Sequence, residues 1–524
     1  MGQTTARVHE PRDLPSPGSR RKGHRWAGAA AAALLLPAAS CAAEPGAADA
    51  ADLMSVVADA PGGPVSEWTG TAADFDGHPY VPDGVAVTAA YPEFEGAEGF
   101  SQGLAGHVDR RVGDFYGGSR EPVSLDVDWE VTAAGGGVLG VRLVHTVEDL
   151  HGLRQGYATY WYDAETGLTR YSSELIAGQE GLERLNGIVT DALAGHPHAG
   201  ADTLWPILST YDSMGFNADG DLVVEFDDGH LSPVREGHPP DASPGRIGVV
   251  VDAEEAAPLL SDLGERARAA SALEEPDFAV PAPDAPTADR PAVPGEVTAG
   301  KDVDCAAEGV RCVALTFDDG PAETTPHLLD LLAEEGVVAT FFLNGDPALT
   351  RPSVIRRAYA EGHEIANHND QHEHMRDLPV SALPRQVATV NAIVSRETGY
   401  RVTLFRPPFG QSSPEVLAEV GAQEMAQVVW NVDSEDWTEI GPNEIVERVT
   451  EQTARAGRAD RDAIVLLHDP LPATLAAVPE LIGLLREDGY TFATTTQAIG
   501  DPVAGEAYPT GRNVPEAASG EPEA

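Results

Sequence analysis

Positive charge is what this chain has least of. Against 84 Asp and Glu stand 34 Lys and Arg, a formal net charge of −50, and the only two lysines are Lys22 and Lys301. A field of that sign repels nucleic acid and anionic lipid head groups, so neither is an expected partner; it favours solubility in an exported protein and names no substrate. Cysteine is almost as scarce, with Cys41, Cys305 and Cys312 alone. Three thiols exclude a multi-disulfide scaffold and an all-cysteine zinc set. The apolar run at 26–36 is too short to span a bilayer. What is present is length: 524 residues exceed what one core serves, so two folded domains with flexible segments are expected.

The basic stretch Arg20-Arg21-Lys22 to Arg25 precedes the apolar run, the order of an export signal. The following Ala38-Ala39-Ser40-Cys41 resembles a bacterial lipobox, with Ala38 where that pattern usually has Leu. Residues 1–41 are therefore expected to be a signal peptide of lipoprotein type with Cys41 as the lipidation site; simple secretory cleavage is the alternative, and the paired arginines also suit twin-arginine export. The expected location is the outer face of the cell membrane or the exterior, with membrane contact only through the lipid. Cys305 and Cys312 remain, close in sequence and able to bridge in an oxidising compartment.

Composition divides the rest. Segments 42–84, 271–303 and 501–524 carry too little apolar surface to order themselves, the middle one being a proline-rich spacer expected to hold two domains apart. Between them, 85–270 mixes alternating strands (124–131, 138–144, 157–162) with a helix near 181–194, the pattern of a smaller α+β domain. Its Asp227-Asp228-Gly229 looks like an acidic pair but reads more cheaply as a turn, and no chemistry is assigned to it. The segment 304–500 alternates strands (313–317, 339–343, 364–366, 403–406, 427–431, 464–467) with helices (325–335, 352–361, 381–398, 413–423, 442–456, 474–488). Regular alternation of this kind is α/β and predicts a parallel sheet closed into a distorted (β/α) barrel, whose chemistry gathers at the C-terminal strand ends.

Those ends are where the polar residues fall. The first gives Thr316-Phe317-Asp318-Asp319-Gly320-Pro321, two adjacent carboxylates free to take different jobs. The third gives His368 and His372, four apart, which one helical turn would set on the same face to grip one ion. Later ends deliver Arg406-Pro407-Pro408-Phe409, Asp433-Ser434-Glu435-Asp436-Trp437 and Leu466-Leu467-His468.

In the order TFDDGP, NHNDQH, RPPF, DSEDW and LLH, these five segments resemble the motifs of the polysaccharide deacetylases of the NodB-homology type, carbohydrate esterase family four, over nearly 200 residues. The resemblance implies hydrolysis of an acetamide on a cell-wall polysaccharide, with peptidoglycan amino sugars as the expected substrate and chitin oligomers or acetyl-xylan as alternatives. It implies that Asp319, His368 and His372 hold Zn2+ or another divalent transition metal, leaving a place for water. Asp318 would be the base, paired with Arg406; His468 would be the acid, held protonated by Asp436. The N–H of Phe409 would face the oxyanion, and Trp437 and Leu466 would wall in the acetyl methyl. The family usually has Ser or Thr at Asn369 and Tyr at Phe409; His374 and Asp370 are expected to be bystanders. A catalytically dead binding or sensor lipoprotein is the rival reading, and it would show a broken set.

The 85–270 domain resembles the external domain of lysozyme-sensing anti-sigma factors, also found before some cell-wall deacetylases, in AAYPEFEG, TYWYDAETGLTRYSSEL and LVVEFDDGHLSPVREGH. That likeness implies contact with glycan or lysozyme.

Overall fold

Residues buried at every position of Cys312–Phe317, and apolar at all but Thr316, fit a strand covered on both faces, and this strand, Cys312–Gly320, lies inside a parallel sheet. The spatial order is Val432–Asp433, Ala463–His468, Cys312–Gly320, Thr340–Leu343, Glu364–Asn367, Leu404–Phe405, Ala426–Val428 and Ala507–Tyr508, with Thr491–Phe492 pairing beside the start of the central strand. The structure is a computed structural model that describes residues 7–9, 53–57, 65–68, 84–200, 202–279, 292–300, 303–458, 462–500 and 502–509. Cys41 and the apolar run 26–36 lie outside the described residues.

Strand period two sorts the side chains. Leu315, Phe317, Phe341, Leu343, Ile365, Phe405, Val465 and Leu467 join the core shared with the surrounding helices. Phe342, Ala366, Leu404, Val428 and Ile464 fill the inside of the curl. The longer helices are Thr325–Glu335, Pro352–Ala360, Leu383–Thr398, Pro414–Ala422, Pro442–Arg458 and Pro472–Glu487, with short Gly345–Thr350 and Thr495–Ile499 beside them. Among the described residues no pairing joins Val432–Asp433 to Ala426–Val428, so the barrel is distorted and open there. The strand predicted over 427–431 is split at this point. Asn431 leaves the ladder because its side chain bonds the neighbouring strand, donating to Asp462 O at 2.8 Å and accepting from Ile464 N at 2.8 Å.

The N-terminal domain is α+β, with two sheets. One runs Val65–Trp68, Ala86–Pro92, Ser124–Gly135, Val138–Asp149, Gly152–Asp163, Leu168–Tyr171; helix Glu98–Gly118 makes the crossover between its single parallel pair. The other runs Arg7–His9, Ile247–Val251, Leu222–Phe226, Met214–Phe216. Several segments differ from the composition-based reading. Within 42–84, Leu53 and Met54 are buried against Val223 and Val250, and Val65–Trp68 pairs with Ala86–Pro92. A few apolar side chains suffice to dock an otherwise small-residue segment. Arg7–His9, inside the expected signal peptide, pairs with Ile247–Val251. Within 501–524, Ala507–Tyr508 returns to extend the sheet edge.

The two domains are not held apart. Helix Glu98–Gly118 lies on helix Leu383–Thr398, and a Cβ at Gly117 would stand 2.9 Å from Ala392 Cβ and 3.2 Å from Ala388 O, so the contact requires glycine there. Ile207 of the first domain is buried in the barrel's outer core. The chain after the proline-rich stretch is strapped to the barrel by Val297 N donating to Tyr359 Oη at 3.0 Å and Gly300 N to Gly362 O at 2.7 Å. Cys305 and Cys312 are joined in a disulfide at the entry to the central strand. Among the described residues no helix is long and apolar enough to cross a membrane.

Candidate active site

The site is built where the inward-facing rows end. Asp318 continues the row of Thr316 and is buried, while the next residue breaks the ladder: the register with Thr340–Leu343 shifts between Asp318 and Gly320, and Asp319 takes φ +70°. This bulge turns the second carboxylate toward the same mouth instead of the opposite face. Asp319 Oδ1 lies 3.5 Å from His368 Nε2 and 3.3 Å from His372 Nε2. One ligand atom from each of the three falls within 4.8 Å of the others.

The two histidines are not on a helical turn. Residues 368–374 form an irregular loop in which Asn369 and His372 have φ of +66° and +54°. Amide side chains replace the helix bonds: Asn367 Oδ1 accepts from Asn369 N at 2.8 Å, and Asn369 Oδ1 from His372 N at 2.6 Å. Asn344 Nδ2 donates to His368 O at 2.6 Å. Thus Asn369 braces the loop directly, with its Nδ2 also reaching Glu373 O at 3.2 Å.

The donor set suits a divalent cation. Asp319 Oδ1 is buried without a hydrogen-bond partner although two imidazole nitrogens face it, an arrangement that an ion would satisfy. His368 Nδ1 meets Arg406 O at 2.8 Å, which assigns the proton to Nδ1 and leaves Nε2 free to ligate. Burial drives His368 down to about 3, against the charge of Asp319, so its ring is neutral at ordinary pH.

Across the mouth, Arg406 is fully buried, donates to Asp318 Oδ1 at 2.6 Å and Thr316 Oγ1 at 2.8 Å, and lies 3.9 Å above the ring of Phe342. Burial lifts the Asp318 carboxyl above its ordinary range, opposed by Arg406 and His468. His468 Nδ1 bonds Asp436 Oδ1 at 2.7 Å, and His468 N donates to Asp436 Oδ2 at 2.8 Å. Burial works to discharge His468, yet the bond and charge of Asp436, backed by Asp318 and Asp319, hold it up to about 9. Phe409 (φ +60°) and Trp437 are half-exposed at the rim, and Leu466 is buried two residues before His468.

His374 and Asp370, expected as bystanders, both make contacts at the site, and Asp469 joins them. The ring of His374 stacks on Phe409 at 3.9 Å. Asp370 is buried and bound by Arg120 of the other domain at 2.5 and 2.6 Å. Asp469, beneath the mouth, is pushed by burial up to about 6 and accepts from Thr325 Oγ1. Thr316 was findable from its place two before Asp318; the Arg120 contact, across 250 residues, was not. Asp227 and Asp228 accept from Tyr157 N at 2.7 Å and Gln155 N at 2.8 Å, tying a turn to the adjacent strand.

A family model for polysaccharide deacetylase matches residues 306–428. Peptidoglycan-N-acetylglucosamine deacetylase PgdA of Listeria monocytogenes serotype 1/2a (strain 10403S) is 33% identical over 190 residues, 36% of this chain and 39% of that protein. Peptidoglycan-N-acetylmuramic acid deacetylase PdaC of Bacillus subtilis (strain 168) is 35% identical over 188 residues, 36% of this chain and 38% of that protein. In both cases the match spans less than two fifths of the relative's length. Chitooligosaccharide deacetylase of Sinorhizobium fredii (strain NBRC 101917 / NGR234) is 37% identical over 204 residues, 36% of this chain but 92% of that protein. With a relative matched over nearly its whole length and the family's segments converging at one barrel mouth, the chain belongs to the polysaccharide deacetylase family.

Proposed function

We propose that this chain is a divalent-metal hydrolase that removes the N-acetyl group from amino sugars of peptidoglycan outside the cell. The observation that carries this is the convergence of Asp319, His368 and His372 within 4.8 Å, flanked by the buried Asp318–Arg406 pair and the His468–Asp436 pair. A zinc or similar ion held by the three ligands would supply Lewis-acid polarisation and a water acidified to a pKa of about 7. Asp318, lifted in pKa by burial and oriented by Arg406, takes the proton of the attacking water. The Phe409 N–H donates to the oxygen that becomes negative. His468, kept cationic by Asp436, gives its proton to the departing amine, so that the C–N bond breaks instead of the new C–O bond. Trp437 and Leu466 flank the acetyl methyl.

The peptidoglycan reading is supported by the named activities of the Listeria and Bacillus relatives and by the export-type N-terminus. The near-complete match to a chitooligosaccharide deacetylase favours a second reading, short chitin chains. Acetate release from purified peptidoglycan compared with chitin oligomers and acetyl-xylan separates them; faster release from chitin oligomers overturns the first. The N-terminal domain is proposed to contact glycan or lysozyme. Co-sedimentation with peptidoglycan and lysozyme pull-down test that, and failure of both removes it.

A further inference from the structure

We infer that Arg120 of the N-terminal domain is a positioning residue for the metal loop of the barrel, so that docking of one domain sets the metal affinity of the other. The inference rests on the reading that Asp319, His368 and His372 hold a divalent ion.

The geometry begins with a close helix contact. Helix Glu98–Gly118 ends on two glycines packed against Ala388 and Ala392, and Arg385 donates to Ser119 O at 3.0 Å where that helix stops. The backbone of Arg120 is then pinned by Leu150 N donating to its carbonyl at 2.8 Å. From there the guanidinium reaches both carboxylate oxygens of Asp370 at 2.5 and 2.6 Å and Asp346 at 2.6 Å. The side chain of Asp370 is 2% exposed, and no other cation pairs with it among the described residues.

Asp370 lies two residues from His368 and two from His372. Its own backbone carbonyl accepts from Gly345 N at 2.9 Å, and a Cβ at Gly345 would fall 2.1 Å from Asp370 Oδ1, so the carboxylate is fitted closely against that backbone. The loop also carries left-handed Asn369 and His372, and such conformations persist only where the surroundings over-determine them. Asn344, Asn367 and Asn369 hold the loop from within; Arg120 closes it from outside. Without Arg120 a buried carboxylate is left unpaired, and the loop must shift to reach water.

The test is divalent-metal affinity of the full chain by chelator competition with Zn2+ and Co2+, read beside hydrogen exchange over 368–374. Arg120→Gln is expected to weaken affinity about tenfold or more, in the range seen when a partner of a ligand-bearing group is lost, and to raise exchange in the loop. Arg120→Gln combined with Asp370→Asn, which removes the stranded charge, is expected to recover most of the loss. Arg351→Gln, which breaks a second interdomain pair, with Glu236, and leaves the Asp370 pair intact, is the control for loosened docking and is expected to leave affinity unchanged. Equal affinity in wild type and Arg120→Gln overturns the inference, as does an equal loss in Arg351→Gln. Absence of metal binding in the wild type overturns the metal reading instead.

Discussion

Asp318 and Asp319 are neighbours with opposite surroundings, and that difference suits them to the separate roles proposed for them. Asp318 is enclosed with Arg406 and Thr316, whereas Asp319 is swung by its positive φ toward two imidazoles. Asp318→Asn should keep the ion and lower acetate release by about 10²- to 10⁴-fold, the scale of a lost general base; metal content together with turnover checks this, and undiminished turnover removes Asp318 as base. His468 gives a pH prediction with a definite sign. Its folded value of about 9 exceeds the ordinary 6.5, so the proton needed by the leaving amine is present below about 9 and lost above it. The stability of the His468–Asp436 pair is likewise complete below about 6.5 and disappears as pH rises through about 9. Turnover should fall on the alkaline side near 9, and Asp436→Asn should move that limb toward neutral pH. A limb that stays in place denies Asp436 its role.

At the scale of elements, the site depends on how strands end. A bulge after Asp318 and a non-helical loop after Asn367 orient the three candidate ligands, and side-chain amides brace the loop. Gly345→Ala should weaken metal binding in chelator competition, because the added methyl meets the Asp370 carboxylate; an unchanged dissociation constant would show that the loop yields freely. The strands and helices of the barrel were legible because apolar runs and amphipathic stretches alternate with punctuation by Gly and Pro. In the 368–374 loop the pair of histidines was legible in the sequence, but not the loop's geometry. Spacing by four suggests a helical turn, and only the Asn367 and Asn369 side chains, which compete for the backbone, tell against it. Leu53 and Met54 escaped notice for a related reason: two buried side chains in a small-residue segment make no periodic signal.

Across the whole molecule, the N-terminal domain is a packed neighbour and not a tethered one. Composition marks 271–303 as proline-rich, yet it carries no information about contacts across 250 residues such as Arg120 with Asp370. Gly117→Val should force helices Glu98–Gly118 and Leu383–Thr398 apart, costing about 1–3 kcal/mol as overpacking does. Calorimetry should then resolve two transitions where the wild type is expected to give one, and a single unchanged transition would contradict a close-packed interface. Side chains from Asp318 to His468 are proposed to act around one ion. The most direct test of this is acetate release from peptidoglycan by chelator-stripped full-length protein as zinc is added back. Release should be absent at the start, rise in proportion to zinc, and level off at one equivalent per chain. Full release from the stripped protein, or none at any zinc level on any acetylated glycan, would contradict it.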